Sequence, residues 1–163
     1  MPKVSLRYRF RQPFRAPAKA AYAWCTDFRP SDAKIFGDRR LRSVRVLAAD
    51  AVVMTDVTYP SGRRTRIQRL VRLFPEELSW TNTHLNGPYR HSQFWYRIVP
   101  DGPRRSHLEF SGLKIETHAR PLSAREVGRL AAANRRSDAA TWSRRLGPAL
   151  DQDLARTGKS RRR

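Results

Sequence analysis

From Val4 to Phe14 the chain alternates: Val4, Leu6, Tyr8 and Phe10 fall on one side, Ser5, Arg7, Arg9 and Arg11 on the other. A period of two marks a strand with one covered face. The Ala-rich segment AKAAYAWCTDF that follows Pro17 is helix-prone, with Pro17 suited to a first-turn position. A break and one more helical turn are expected between Phe28 and Gly37. Six short strands then follow, over 41–48, 51–59, 63–74, 78–85, 90–99 and 106–117. Turn signals separate them at Ala49-Asp50, Pro60-Ser61-Gly62, Pro75-Glu76-Glu77, Asn86-Gly87-Pro88 and Pro100-Asp101-Gly102-Pro103. Short strands at this spacing argue for an antiparallel sheet.

After Pro121 the pattern lengthens to a helical period. Ser123 is placed to cap the helix, with Glu126 three residues on, as in a capping box. Val127, Leu130, Ala131, Asn134, Asp138, Thr141, Trp142, Leu146 and Leu150 form one stripe, and Gly147-Pro148 should interrupt the helix. The expectation is one α+β domain over 1–156: a curved seven-stranded antiparallel sheet wrapped around a long C-terminal helix, with short helices after the first strand. Residues 157–163 read as a basic, frayed tail. A sheet gripping one long helix usually encloses a cavity, which places function inside it.

Three local features carry a family resemblance: the strand-to-helix run FRAPAKAAYAWCTDF, the hairpin series from NGPY through FWYRIVPDGPRRSHLEF, and the terminal helix around Trp142. On these the chain resembles the START-related superfamily (SRPBCC), whose members include lipid-transfer domains, polyketide cyclases and aromatases, and pollen-allergen-like carriers. The resemblance covers roughly residues 4–154. It implies the helix-grip fold and a cavity for a small hydrophobic, lipid-like or aromatic ligand. It supplies no shared catalytic residues.

Charge adds a second theme. Lys and Arg number 34 against 14 Asp and Glu, a net charge of +20, and Arg outnumbers Lys 29 to 5. That balance draws a protein toward polyanions, an anionic membrane surface or nucleic acid among them. Yet the arginines are spread over many elements, and no zinc-finger, basic-zipper or RNA-recognition pattern appears. Arg7, Arg9, Arg11, Arg64, Arg66 and Arg72 suit a basic outer sheet surface, or a plain solvated face. Cys25 is the only cysteine, so an intramolecular disulfide is excluded. No signal-peptide stretch and no run of about 18 apolar residues is seen, so a soluble, cytoplasmic protein without a transmembrane segment is expected.

The candidate chemistry clusters at the Asn86-Gly87 hairpin. A turn with an even number of residues puts Trp80, Asn82 and His84 on one face with His91, Gln93 and Trp95, and the next turn adds Arg97, Glu109 and Ser111. An odd turn breaks that shared face. We take the Trp80/Trp95 face as the cavity wall, with Trp80, Asn82, His84, His91, Gln93, Trp95, Glu109 and Trp142 as the ligand-binding set. The opposite face holds Thr81, Thr83, Phe94, Tyr96, Ile98, Leu108 and Phe110. Two imidazoles are too few for a structural zinc site, so neither metal nor cofactor is expected. Cys25, in an apolar helix, reads as a small buried residue rather than a nucleophile. Asp138 interrupts the helical stripe; a surface pair with Arg135 or Arg145 is preferred over a cavity acid or base, and Asp56, inside a strand, stands in the same position. The enzyme alternative is a polyketide cyclase or dehydrase using His84, His91, Glu109 or Asp138. A third is an adaptor that binds polyanions.

Overall fold

The computed structural model describes residues 1–160, with side chains through Thr157. Seven antiparallel strands form one sheet: β1 (Lys3–Phe14), β2 (Leu41–Ala48), β3 (Ala51–Thr58), β4 (Thr65–Phe74), β5 (Ser79–His84), β6 (Gln93–Pro100) and β7 (Ser106–Thr117). Their spatial order is β1-β7-β6-β5-β4-β3-β2. All but one link joins neighbours in sequence; β1 instead pairs with β7, Phe10 opposite Phe110. Between β1 and β2 lie helix α1 (Ala18–Thr26) and a 3₁₀ segment (Pro30–Phe36). Pro17 sits one place before the first helical residue, as the cap.

The chain closes on α2 (Ala124–Thr141), a π turn (Trp142–Leu146) and α3 (Gly147–Ser160). The helix thus runs into the stretch 157–163 expected to fray, and residues 161–163 lie outside the described residues. The capping box forms: the Ser123 hydroxyl accepts from the Glu126 amide at 3.3 Å, and the Glu126 carboxylate accepts from the Ser123 amide at 2.8 Å. Arg120 adds to it and holds the Glu126 carboxyl down at about 2. Ser123→Ala should cost about 1 kcal/mol, read as a melting temperature lowered by about 2–4 °C; an unchanged melt would remove the cap from the account.

The π turn has a sequence cause. Pro148 has no N–H to donate one turn back and its ring crowds the carbonyl there. The stripe Asp138, Trp142, Leu146, Leu150, Leu154 steps by four, and on a regular α-helix it would drift about 40° per step around the axis. A wider turn slows that drift and keeps Trp142, Leu146, Leu150 and Leu154 in the core. Gly147 fits because its neighbours leave no room: a Cβ there would stand 2.8 Å from Gln12 Nε2 and 3.0 Å from the Trp142 carbonyl.

The helices cover one face of the sheet. β1 supplies Leu6, Tyr8 and Phe14 to the core; β3 gives Val52 and Met54, β4 Val71, β5 Trp80, β6 Phe94 and Ile98, and β7 Leu108 and Phe110. Trp142 and Leu150 close the core from the helical side. On β1 the other parity, Arg7, Arg9 and Arg11, is exposed, as alternation requires.

The hairpin between β5 and β6 departs from the expected register. Thr83 pairs with Gln93, Thr81 with Trp95 and Trp80 with Tyr96. An odd number of residues, 84–92, lies between the paired Thr83 and Gln93. The cause is a bulge: the His84 amide donates to Ser92 O, and His91 N donates to His84 O, so two residues oppose one. His91 takes the left-handed conformation, φ 74°, that such an extra residue needs. Ser92 anchors it, its hydroxyl accepting from the Ile115 amide at 2.9 Å. The predicted shared face therefore splits. Gln93, Trp95 and Glu109 point away from the helices, and His91 is exposed in the turn.

Candidate functional site

Beneath the helices lies a cavity of about 370 Å³, within the usual range for small-molecule sites. Its apolar wall follows from strand parity. Trp80 and Tyr96, paired across β5 and β6, stack with ring centroids 4.8 Å apart. Phe94 stacks on Phe110 at 5.8 Å, and Tyr96 meets Phe110 edge-on at 5.2 Å. Met54 on β3 and Leu146 on the π turn complete it, while Trp24, Cys25 and Phe28 line the α1 end.

Of the predicted ligand-binding residues, Trp80, Asn82, His84 and Trp142 line this cavity. Gln93 and Trp95 line a separate groove on the opposite side of the sheet, with Arg7 and Arg9. Glu109 also lies outside, where it accepts from Arg11 at 2.8 Å. The residues assigned to the opposite face, Phe94, Tyr96 and Phe110, are the ones that face the cavity.

Polar groups enter the cavity at two places. The first is Tyr8, whose hydroxyl donates to Asp138 Oδ2 at 2.6 Å. Asp138 thus faces the cavity instead of forming the surface pair with Arg135 or Arg145, because the helical stripe turns it toward β1. Burial raises its pKa; the Tyr8 hydrogen bond and the Lys114 charge oppose that without cancelling it. Burial and the Asp138 carboxylate together push the Tyr8 hydroxyl up, so it stays a donor.

The second is a cluster built on Asp56, which is 1% exposed. Arg42, opposite it on β2, forks onto its two oxygens at 2.8 and 2.9 Å. Arg69 from β4 also donates to Oδ2, and Arg40 stands 3.5 Å away. Burial would raise the Asp56 carboxyl, but the Arg42 hydrogen bonds and the charges of Arg69, Arg42 and Arg40 outweigh it and hold it below the ordinary value. Sequence reasoning missed Arg40, Arg42 and Arg69. The readable signal was parity: Asp56 alternates in step with Val52 and Met54, and Arg69 with Val71 and Leu73.

His84 sits between these places. Burial, then the charges of Arg69 and Lys114, lower its pKa to about 4. It is neutral at pH 7, and Nδ1 is buried without a partner in the protein. The unfolded chain takes up this proton near pH 6.5, the folded chain near 4. Between those values the unfolded state binds more protons, so folding stability falls as pH drops from 6.5 toward 4. A ring-proton NMR titration should give a midpoint near 4; a midpoint at 6.5 would mean that His84 is solvated. Cys25 lies in the wall too, and burial pushes its thiol well above the ordinary range, which suits packing rather than attack.

No protein-family model matches the sequence, and no curated protein matches it either. Solved structures do match. The aromatase/cyclase Zhui from Streptomyces sp. R1128 aligns with a TM-score of 0.74 at 12% identity, over 93% of this chain and 96% of that one. Norcoclaurine synthase from Thalictrum flavum, solved with dopamine and hydroxybenzaldehyde, aligns with a TM-score of 0.67 at 11% identity, over 94% and 88%. A START superfamily protein from Mycobacterium smegmatis gives 0.63 at 16% identity, over 90% and 98%. The chain has the helix-grip fold of these proteins, an antiparallel sheet closed by a long C-terminal helix. Among the described residues no helix is long and apolar enough to cross a membrane.

Proposed function

We propose that this protein binds a small, largely apolar molecule, aromatic or lipid-like, in the space between sheet and helices. The observation that carries this is the cavity itself: about 370 Å³ walled by Trp80, Phe94, Tyr96, Phe110 and Trp142. Binding would draw on apolar burial, about 25 cal/mol per Å² removed from water. Asn82 Oδ1, an acceptor, and His84 Nδ1, donor or acceptor according to its tautomer, are buried without protein partners and can orient a guest. Norcoclaurine synthase, which has the same fold, was solved with dopamine and hydroxybenzaldehyde, both aromatic, which agrees with this reading. Native mass spectrometry of freshly purified protein is expected to show a co-purifying small molecule that Trp80→Ala reduces. Bare protein alone, with no thermal shift from any aromatic or lipid-like compound, would sink it.

One observation favours an enzymatic variant of the same site. The Tyr8–Asp138 pair opens on the cavity, and a carboxyl of raised pKa there suits acid–base work on a polyketide-like substrate. His84, neutral at pH 7, is the other cavity group for such a step; His91 and Glu109 lie outside. Asp138→Asn would abolish turnover and spare binding, whereas a pure carrier has no turnover to lose. An adaptor role would use the outer face instead, where Arg7 and Arg9 flank the half-exposed Trp95. It would weaken steeply with salt. A cytoplasmic setting suits the free thiol of Cys25.

A further inference from the structure

The guanidinium cluster in the cavity wall offers more donors than the protein can satisfy. A carboxylate accepts at about four lone-pair positions, and each guanidinium carries five N–H groups. Asp56 is filled by two hydrogen bonds from Arg42, one from Arg69 and the approach of Arg40. Asp38, at the rim, takes two more from Arg40, at 2.8 and 3.2 Å. Nothing comparable answers Arg69, whose side chain is only 15% exposed and whose Nε is buried with no partner. The other carboxylates of the wall are engaged elsewhere. Asp32 accepts from the Arg29 amide at 2.9 Å, and Asp138 accepts from Tyr8. All three arginines line the cavity, and the aromatic wall of Trp80 and Tyr96 lines it beside them.

We infer that the guest of this cavity is an acid: an apolar, aromatic or aliphatic body carrying a carboxylate that docks against Arg69 and its neighbours Arg40 and Arg42. A planar carboxylate matches the guanidinium fork, and in a site withdrawn from water such charge-assisted bonds outweigh neutral ones. The apolar body lies along the stacked rings and the carboxylate meets the guanidinium groups beside them, so head and tail of the guest are held by different parts of the same wall. The inference rests on the cavity-binding reading above and narrows its ligand class.

The test compares 2-naphthylacetic acid and decanoic acid, each with its methyl ester, by isothermal titration calorimetry at pH 7. Each acid is expected to bind at least about tenfold more tightly than its ester, the factor one charged hydrogen bond supplies. Arg69→Met should erase most of that gap, weakening the acid much more than the ester. Should Arg69→Met fail to fold, Arg40→Met is read in its place, beside the wild-type acid-to-ester ratio. Equal affinity of acid and ester, or an undiminished gap in the folded variant, overturns the acid assignment and leaves cavity binding standing. If neither acid nor ester binds, both readings fall together.

Discussion

Replacing Asp56 with alanine is expected to lower the melting temperature by roughly 10 °C at pH 7, following a loss of about 3–5 kcal/mol. The magnitude comes from what remains, not from the pair that is lost. Arg42 and Arg69 are 6% and 15% exposed, and Asp56 is their common anion. Without it, guanidinium groups repel one another in a poorly hydrated wall. Burial and the neighbouring arginines already work to lower the Arg69 pKa, with Asp56 opposing them. A second variant separates charge from volume: Asp56→Leu combined with Arg42→Met and Arg69→Met should recover much of the loss, since well-packed apolar groups can replace a buried ion cluster. Thermal melts followed by circular dichroism decide it, and a shift below about 2 °C for the alanine variant would mean that water enters and solvates the cluster.

The same carboxylate sets one slope of stability against pH. The folded pKa of Asp56 lies below its unfolded value of about 3.9, so its contribution is whole above that value and is lost as pH falls through the folded pKa. Asp138 has the opposite sign. Its folded pKa is raised, so the folded state holds the proton longer and stability declines as pH rises from the unfolded value through the folded one.

Truncating Trp142 to alanine should cost a similar amount, about 3–5 kcal/mol, and should also abolish binding in the cavity. The indole is 9% exposed and lies on the π turn that joins α2 to α3. It meets Phe14 at 6.1 Å and Tyr96 at 6.2 Å, so it ties the helical cover to both β1 and β6. It also lines the cavity. Trp142→Phe keeps most of the contact and should lose much less stability. Urea unfolding checks the first effect and ligand titration of the folded variant the second. An alanine variant that binds as tightly as the parent would show that the cover is held by Leu146 and Leu150 without the indole.

How far the sequence could be read depended on whether a feature was local. The alternation on β1 fixed which side faces inward, because Tyr8 and Phe10 alternate strictly with Arg7, Arg9 and Arg11. The capping box at Ser123 and Glu126 was equally local. Pro148 announced an interruption, and the four-residue spacing from Asp138 to Leu154 carried the hint of its form. The faces of β5 and β6 were not legible in the same way. Both strands carry mixed residues on both sides, so alternation could not choose, and the choice fell to the parity of the turn. That parity was set by a bulge at His91, whose positive φ no glycine announces in the sequence. The Asp56 cluster was hidden for another reason: its members come from β2, β3, β4 and the segment before β2, and only the pairing of strands brings them together.

The bulge at His84 and His91–Ser92 also constrains how this hairpin can change over evolutionary time. Connections at a protein surface ordinarily tolerate gain or loss of single residues. Here one residue fewer would rotate every side chain of β6 through the sheet, exchanging Phe94 and Tyr96 for Gln93 and Trp95. The exterior would turn greasy and the hollow would lose its rings in the same event. Relatives that keep this interior are therefore expected to change the link only by an even number of residues, even where its composition drifts freely.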